Sequence, residues 1–344
     1  MEGTIFSFWN WSVALYLFVA GVSAGAFAIS ALAYFMGHEK YQNITRIGAY
    51  IAPFPLIFGI ICLIYDLERP SLFWKLLVTI QVHSVMSLGS WLLMIFSFLS
   101  FFYFYLWLPE RFELMDLFKR IPRGWEKLKI IRAIKSSPLL QRLRRENLNG
   151  IRGWVGLAGI PVSLLVGIYT GVLLGALVAR PFWNNPMLPM LFLVSALKTG
   201  TASICLVGCF IKGFGGMSRE EIETNKFMIH SIDFVLMILS IIAVLLFVFG
   251  LYSSPRSSVE AAQLIMGGEF TLLFWGWVVG MGILFPLALE LYELIPHFIK
   301  HVALREHNPW ISMAVTTSVL VGGFLLRYVV VYAGQIPQLI FPTY

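Results

Sequence analysis

Charge is what this sequence has least of. Asp, Glu, Lys and Arg make up 12% of its 344 residues, about half the share found in an average soluble domain. So few polar side chains cannot cover a water-soluble globule of this length. Cysteine is scarcer still. Cys62, Cys205 and Cys209 all sit in apolar runs without a C-x-x-C spacing, which is no disulfide framework, and Cys205 and Cys209, sharing a helix face at i,i+4, are expected to be small buried residues rather than a metal pair. Neither common glycine-rich phosphate loop is present, so no nucleotide site is expected. No basic residue precedes the first apolar run, so no cleavable leader is expected. The net charge of +7 points weakly to nucleic acid, yet 12 of the 25 Lys and Arg fall between Arg111 and Arg152. The basicity belongs to one loop, and no nucleic-acid partner is expected.

What the sequence does have is long apolar stretches. A bilayer core about 30 Å thick needs about 20 apolar residues in helical form. Eight runs qualify: residues 9–35, 47–65, 84–107, 154–178, 187–211, 228–252, 270–292 and 309–333. Barrel strands are short and alternating, so runs of this length mean helices. The fold class is an all-α integral membrane protein with eight transmembrane helices. It divides into residues 1–107 (spans one to three), a basic loop at 108–153, and residues 154–344 (spans four to eight). Eight crossings put both termini on one side. The loops on the opposite side carry 19 Lys and Arg against 4 on the terminal side. The positive-inside rule then makes the terminal side extracytoplasmic and the membrane the cytoplasmic one. Leu128–Ile134 and Leu139–Arg145 in the long loop each have a basic and an apolar face. Two readings of that loop stand: helices lying on anionic lipid, or a docking site for a cytoplasmic partner.

Several stretches carry a family pattern. Asp66-Leu67-Glu68-Arg69-Pro70 follows the second span, and His83 through Leu93 opens the third. The fourth and fifth run Ile160-Pro161, Tyr169-Thr170-Gly171, Ala179-Arg180-Pro181-Phe182-Trp183-Asn184, Leu188-Pro189 and Ser195-Ala196-Leu197-Lys198-Thr199-Gly200. The first span holds Ala20-Gly21-Val22-Ser23-Ala24-Gly25, and the last holds Leu326 to Gln335. In this order the stretches resemble the NrfD/PsrC family, the polysulfide-reductase type of membrane subunit. The resemblance implies two four-helix bundles and a quinone bound near the outer face, with menaquinone favoured. It implies as partners an extracytoplasmic four-cluster, ferredoxin-like iron–sulfur subunit and, beyond it, a molybdopterin or multihaem catalytic subunit. It also places a quinone-contacting tyrosine in the fourth span, at Tyr169. The sequence departs from the pattern at Glu68, where glycine is usual, at Lys198, where a small polar residue is usual, and in a first span without histidine.

Ionisable residues inside spans are costly and need partners or a wet cavity. Lys198 falls near the middle of its span, and Asp233 lies in the neighbouring sixth span toward the cytoplasmic end. They are expected to pair, either as a structural ion pair or as part of a proton path. His230, one turn from Asp233, and Glu290 extend that path, with Arg327 in the last span. Glu293 is expected to snorkel. Toward the outer face, Asp66, Glu68, Arg69, His83, Arg180 and Arg327 form a second group. A quinone needs hydrogen-bond donors and a group that passes protons, which suits His83 and Tyr169. Asn10, Tyr16, Asp66 and Arg180 complete the candidate quinone site. A bis-histidine haem needs two histidines at one depth inside the helices. Of six histidines only His83 is on the outer side and only His230 is within a span, so haem is not expected. A proton-coupled secondary transporter is the alternative reading, since buried Lys and Asp also mark transporters.

Overall fold

The structure is a computed structural model that describes residues 9–37, 40–67, 70–79, 81–108, 148–210, 219–300 and 309–336. Among them every regular element is helical. Eight helices are long and apolar enough to cross a bilayer: Trp11–Gly37, Gln42–Asp66, Val85–Trp107, Asn149–Gly175, Leu188–Phe210, Phe227–Tyr252, Leu272–Tyr292 and Trp310–Gln335. The chain is a multi-pass membrane protein. Six spans match the sequence-based edges closely. The other two start earlier, at residues that read as loop. Gln42–Ile51 carries Gln42, Asn43 and Arg46 beside a buried face of Ile44, Ile47 and Gly48. Asn149–Gly175 gains its first turn because the Arg152 guanidinium donates to Leu106 O at 2.8 and 3.0 Å and stacks on Trp107. Most of the basic loop, with its two amphipathic stretches, lies outside the described residues.

The first span occupies the middle of the molecule. Every residue from Ala20 to Ala31 is buried, and the helix packs against spans two, four, five and eight. Lipid tails are as apolar as Leu, so helices in a bilayer associate through close packing of small residues. The first span supplies them: Ala20, Gly21, Ser23, Ala24, Gly25, Ala26 and Ala28. The tightest crossing is with span five. A Cβ on Gly25 would stand 2.0 Å from Ala196 O, and one on Gly200 would stand 2.2 Å from the Gly25 carbonyl carbon. No side chain fits at either position. The second span bends at Ala52-Pro53, where the Ser23 hydroxyl of the first span donates to the Ala52 carbonyl.

The seventh span begins as a π-helix, Leu272–Leu284, and continues as an α-helix from Phe285. Wide i→i+5 turns are rare and usually short. Here Gly282 meets Gly322 of the eighth span backbone to backbone, with a Gly282 Cβ position 2.8 Å from Gly322 Cα.

Trp9 N–H donates to Gln335 Oε1 at 2.9 Å, and Gln335 Nε2 donates to Trp9 O at 3.0 Å. The first and last spans therefore share one end of the molecule, called the terminal face below. The opposite end, which carries the connection at 109–147, is the loop face.

Candidate functional site

Two polar groups lie inside the spans, and they differ in kind. The first is near the terminal face and is built on tyrosine. Tyr16 is five residues into the first span and Tyr169 six residues from the end of the fourth. At 1.5 Å per residue both are about 8–9 Å below that face. The Tyr169 ring lies over Gly89 of the third span, where a Cβ would collide with the phenol. Tyr16 packs beside Gly59 of the second span. The two phenols are close enough to interact electrostatically. Tyr16 is buried and Tyr169 partly so, and neither hydroxyl makes a hydrogen bond among the described residues. Spans one to four thus bring two available phenol groups to one depth.

Around this pair the other sequence-derived candidates separate. Asp66 closes the second span and accepts from the Ser12 hydroxyl at 2.7 Å, one turn before Tyr16 on the first span. His83 is exposed, in the turn that leads into the third span. That turn is fixed by Ser87, whose hydroxyl donates to Thr79 O at 3.1 Å and accepts from Gln81 N–H at 3.0 Å. Asn10 is exposed just ahead of the first span. Glu68 and Arg69 lie outside the described residues. Arg180 donates to Gln335 O at 2.8 Å.

Arg180 belongs to a clamp that sequence reasoning missed. Trp183 stacks on Trp9 with centroids 5.1 Å apart and donates Nε1–H to Val330 O at 2.6 Å. Asn185 donates to Phe247 O at 2.8 Å. The connection between spans four and five is thereby fastened to spans one, six and eight. The signal for it is Gln335, a lone amide at the end of an apolar run.

The second group is ionisable. Arg327 is fully buried. It faces no carboxylate among the described residues; its guanidinium donates to Ser195 Oγ at 2.6 Å and Gly323 O at 3.1 Å, with longer contacts at 3.4 Å to Leu17 O and Phe192 O. Gly21 makes room for it, since a Cβ there would stand 2.8 Å from Nη2. Arg327 therefore joins spans one, five and eight. One turn along span five from Ser195 is Lys198, also buried. The expected Lys198–Asp233 bond is not made. Lys198 Nζ donates instead to the Gly282 carbonyl of the π-helical stretch, at 3.1 Å. Asp233 is buried, its Oδ1 has no hydrogen-bond partner among the described residues, and it interacts electrostatically with Lys198, His230 and Glu290. Toward the loop face, His230 Nδ1 meets both Glu290 oxygens, at 2.9 and 3.0 Å. With a carboxylate as partner, Nδ1 carries the hydrogen. The Glu293 side chain lies outside what is described.

The amino-acid sequence is similar to those of known proteins. Residues 3–338 fit the family model described as polysulphide reductase, NrfD. The sequence is 32% identical to a polysulfide reductase chain of Wolinella succinogenes, over 95% of this protein and 94% of that one. It is 30% identical to protein NrfD of Escherichia coli over 95% of both. A selenate reductase subunit of Mesobacillus selenatarsenatis is 28% identical over 83% of this protein and 67% of that one.

Proposed function

The chain belongs to the NrfD family, and from that premise we propose that it is the quinone-reactive membrane subunit of a multi-subunit respiratory oxidoreductase. In this reading the terminal face is extracytoplasmic, as the 19-to-4 distribution of Lys and Arg supports. A partner carrying iron–sulfur clusters docks there and exchanges two electrons with a quinone, menaquinone by family habit. A molybdopterin or multihaem subunit completes the electron route. The chain is read as two bundles, spans one to four and spans five to eight, joined through the first span, which packs against span five as well as spans two and four.

The observation that carries the proposal is the Tyr16–Tyr169 pair. A quinone has two ring oxygens that take or release protons as it is reduced or oxidised. Those oxygens need donors at fixed positions. Tyr169, held by its ring against Gly89, would donate one O–H from the fourth span, and Tyr16 would donate another from the first span. The buried polar side chains of spans one to four are uncharged, and Arg327 of span eight reaches the first span at Leu17 O. Asp66, at the face itself and tied to Ser12, is placed to pass protons to water, with His83 exposed on the same side.

The ionisable group is the second half of the proposal. Arg327, Ser195, Lys198, Asp233, His230 and Glu290 descend from the level of Leu17 to the loop face through spans five to eight. Taken with ordinary charges and a neutral imidazole, the set sums to zero, as a buried set should. It is the proton path of this reading.

Purification from native membranes in mild detergent tests the proposal. The expected result is an iron–sulfur polypeptide, a molybdenum or multihaem polypeptide, and bound quinone near one per chain. Quinol oxidation by that complex should fall about tenfold in Tyr169→Phe, the cost of one hydrogen bond of about 1.4 kcal/mol. A lone polypeptide without quinone, or a Tyr169→Phe complex at wild-type rate, contradicts it.

A further inference from the structure

We propose that Lys198 is a two-position proton carrier, with one station on the Gly282 carbonyl of span seven and the other on the orphaned Oδ1 of Asp233 in span six. The inference rests on the proton-path reading above and specifies its central step.

Three observations converge on it. Lys198 is buried at mid-span, where an ammonium needs acceptors. Yet among the described residues it donates to a backbone oxygen, Gly282 O, at 3.1 Å. A carbonyl holds an ammonium but takes no proton from it. Asp233 is buried and interacts electrostatically with Lys198, with one carboxyl oxygen lacking any partner among the described residues. A buried polar atom left unsatisfied is rare in native structures, and where it persists a second state that satisfies it is one explanation. Finally, the Gly282 carbonyl is presented by a π-helical stretch against a glycine of the next helix. Neither Gly282 nor Gly322 has room for a side chain at that crossing, so the backbone that carries the Gly282 carbonyl is held close against span eight.

The lysine stem has four methylene groups and a freely turning ammonium, so a change of torsions moves Nζ from one acceptor to the other. At Asp233 one proton leaves Nζ and one O–H bond forms at Oδ1. An ammonium–carboxylate pair becomes an amine–carboxylic acid pair, and the net charge of the buried region stays the same. That constancy is what lets the step run in a medium of low polarity. His230 and Glu290, one turn nearer the loop face, are the next stations. Arg327, on the other side, keeps its charge throughout, because a guanidinium does not release its proton.

Redox-induced infrared difference spectra of the intact complex test this, with quinol oxidation measured on the same samples. Wild type should show a carboxyl C=O band that Asp233→Asn removes. Lys198→Arg retains a buried cation with donors for Gly282 but cannot give up its proton. It should lose the Asp233 band about tenfold while quinol oxidation falls less, by about threefold. Lys198→Met, checked for folding by thermal unfolding, should lose the band as well. A full Asp233 band in a folded Lys198→Arg or Lys198→Met complex overturns the switch. A wild-type complex that oxidises quinol without any Asp233 band also overturns it, and leaves the quinone reading standing. A complex that oxidises no quinol removes the quinone reading itself.

Discussion

Spans one to four and spans five to eight have similar hydropathy, but their interiors differ in chemistry. Among the described residues, the buried polar side chains of spans one to four are hydroxyl-bearing: Ser12, Ser23, Ser30, Thr45, Ser87, Ser100, Ser163 and Thr170. Every buried charged side chain among them, namely Lys198, Asp233, Glu290 and Arg327, belongs to spans five to eight. A neutral, redox-active ring is best held by neutral donors, while protons are best moved by groups that change charge. The division teaches that the two tasks of a quinone-linked membrane subunit need not share side chains. They share a border, at the crossing of spans one and five and at Arg327.

The comparison breaks most severely at that border. Gly200→Val puts atoms where the first span's backbone runs. No monodisperse protein should be recovered after detergent extraction, and Gly25→Val should behave the same. Recovery of a folded, quinone-binding protein from either would mean that the two halves stand independently. Next in size is Arg327→Met. It removes a buried guanidinium that bonds to Ser195 and three backbone carbonyls. Thermal unfolding should show a loss on the order of 3 kcal/mol.

A pair of variants then sharpens the division. Tyr169→Phe should lower quinol oxidation about tenfold and leave the number of protons released per electron where it was. Asp233→Asn should lower that number, read with a pH dye in vesicles, more than it lowers quinol oxidation. Equal losses in both variants would merge the two regions into one site. The smallest effect is expected from Arg180→Ala. Its hydrogen bond to Gln335 O is worth about 1 kcal/mol, and the Trp9–Trp183 stack holds the same connection. A drop in quinol oxidation as large as that of Tyr169→Phe would instead return Arg180 to the quinone site.

The sequence makes one of these regions far more legible than the other. Ionisable residues stand out in apolar runs, so Lys198, Asp233, His230, Glu290 and Arg327 are identifiable from the residue order alone. The i,i+3 spacing puts His230 and Asp233 on one face. What spacing within a helix cannot show is the neighbour across a helix boundary. Lys198 reaches Gly282 rather than Asp233, and Arg327 finds carbonyls rather than a carboxylate, because both depend on which backbones come close. The starts of spans two and four are hidden for a related reason. Polar residues such as Asn43 and Arg152 read as loop until their tertiary partners are known. The tyrosine pair is less legible still: Tyr16 and Tyr169 are 2 of 13 tyrosines. Only the family resemblance singles out Tyr169, and only the tertiary structure brings Tyr16, beside Gly59, to the same depth as Tyr169 over Gly89.

Photo-crosslinking with an azidoquinone, followed by peptide mapping of the intact complex, addresses the division most directly. Adducts are expected on peptides of spans one to four that contain Tyr16, Gly59, Gly89 or Tyr169, competed away by unlabelled quinone. Adducts concentrated on span five to eight peptides carrying Lys198, Asp233 or Glu290 would contradict it.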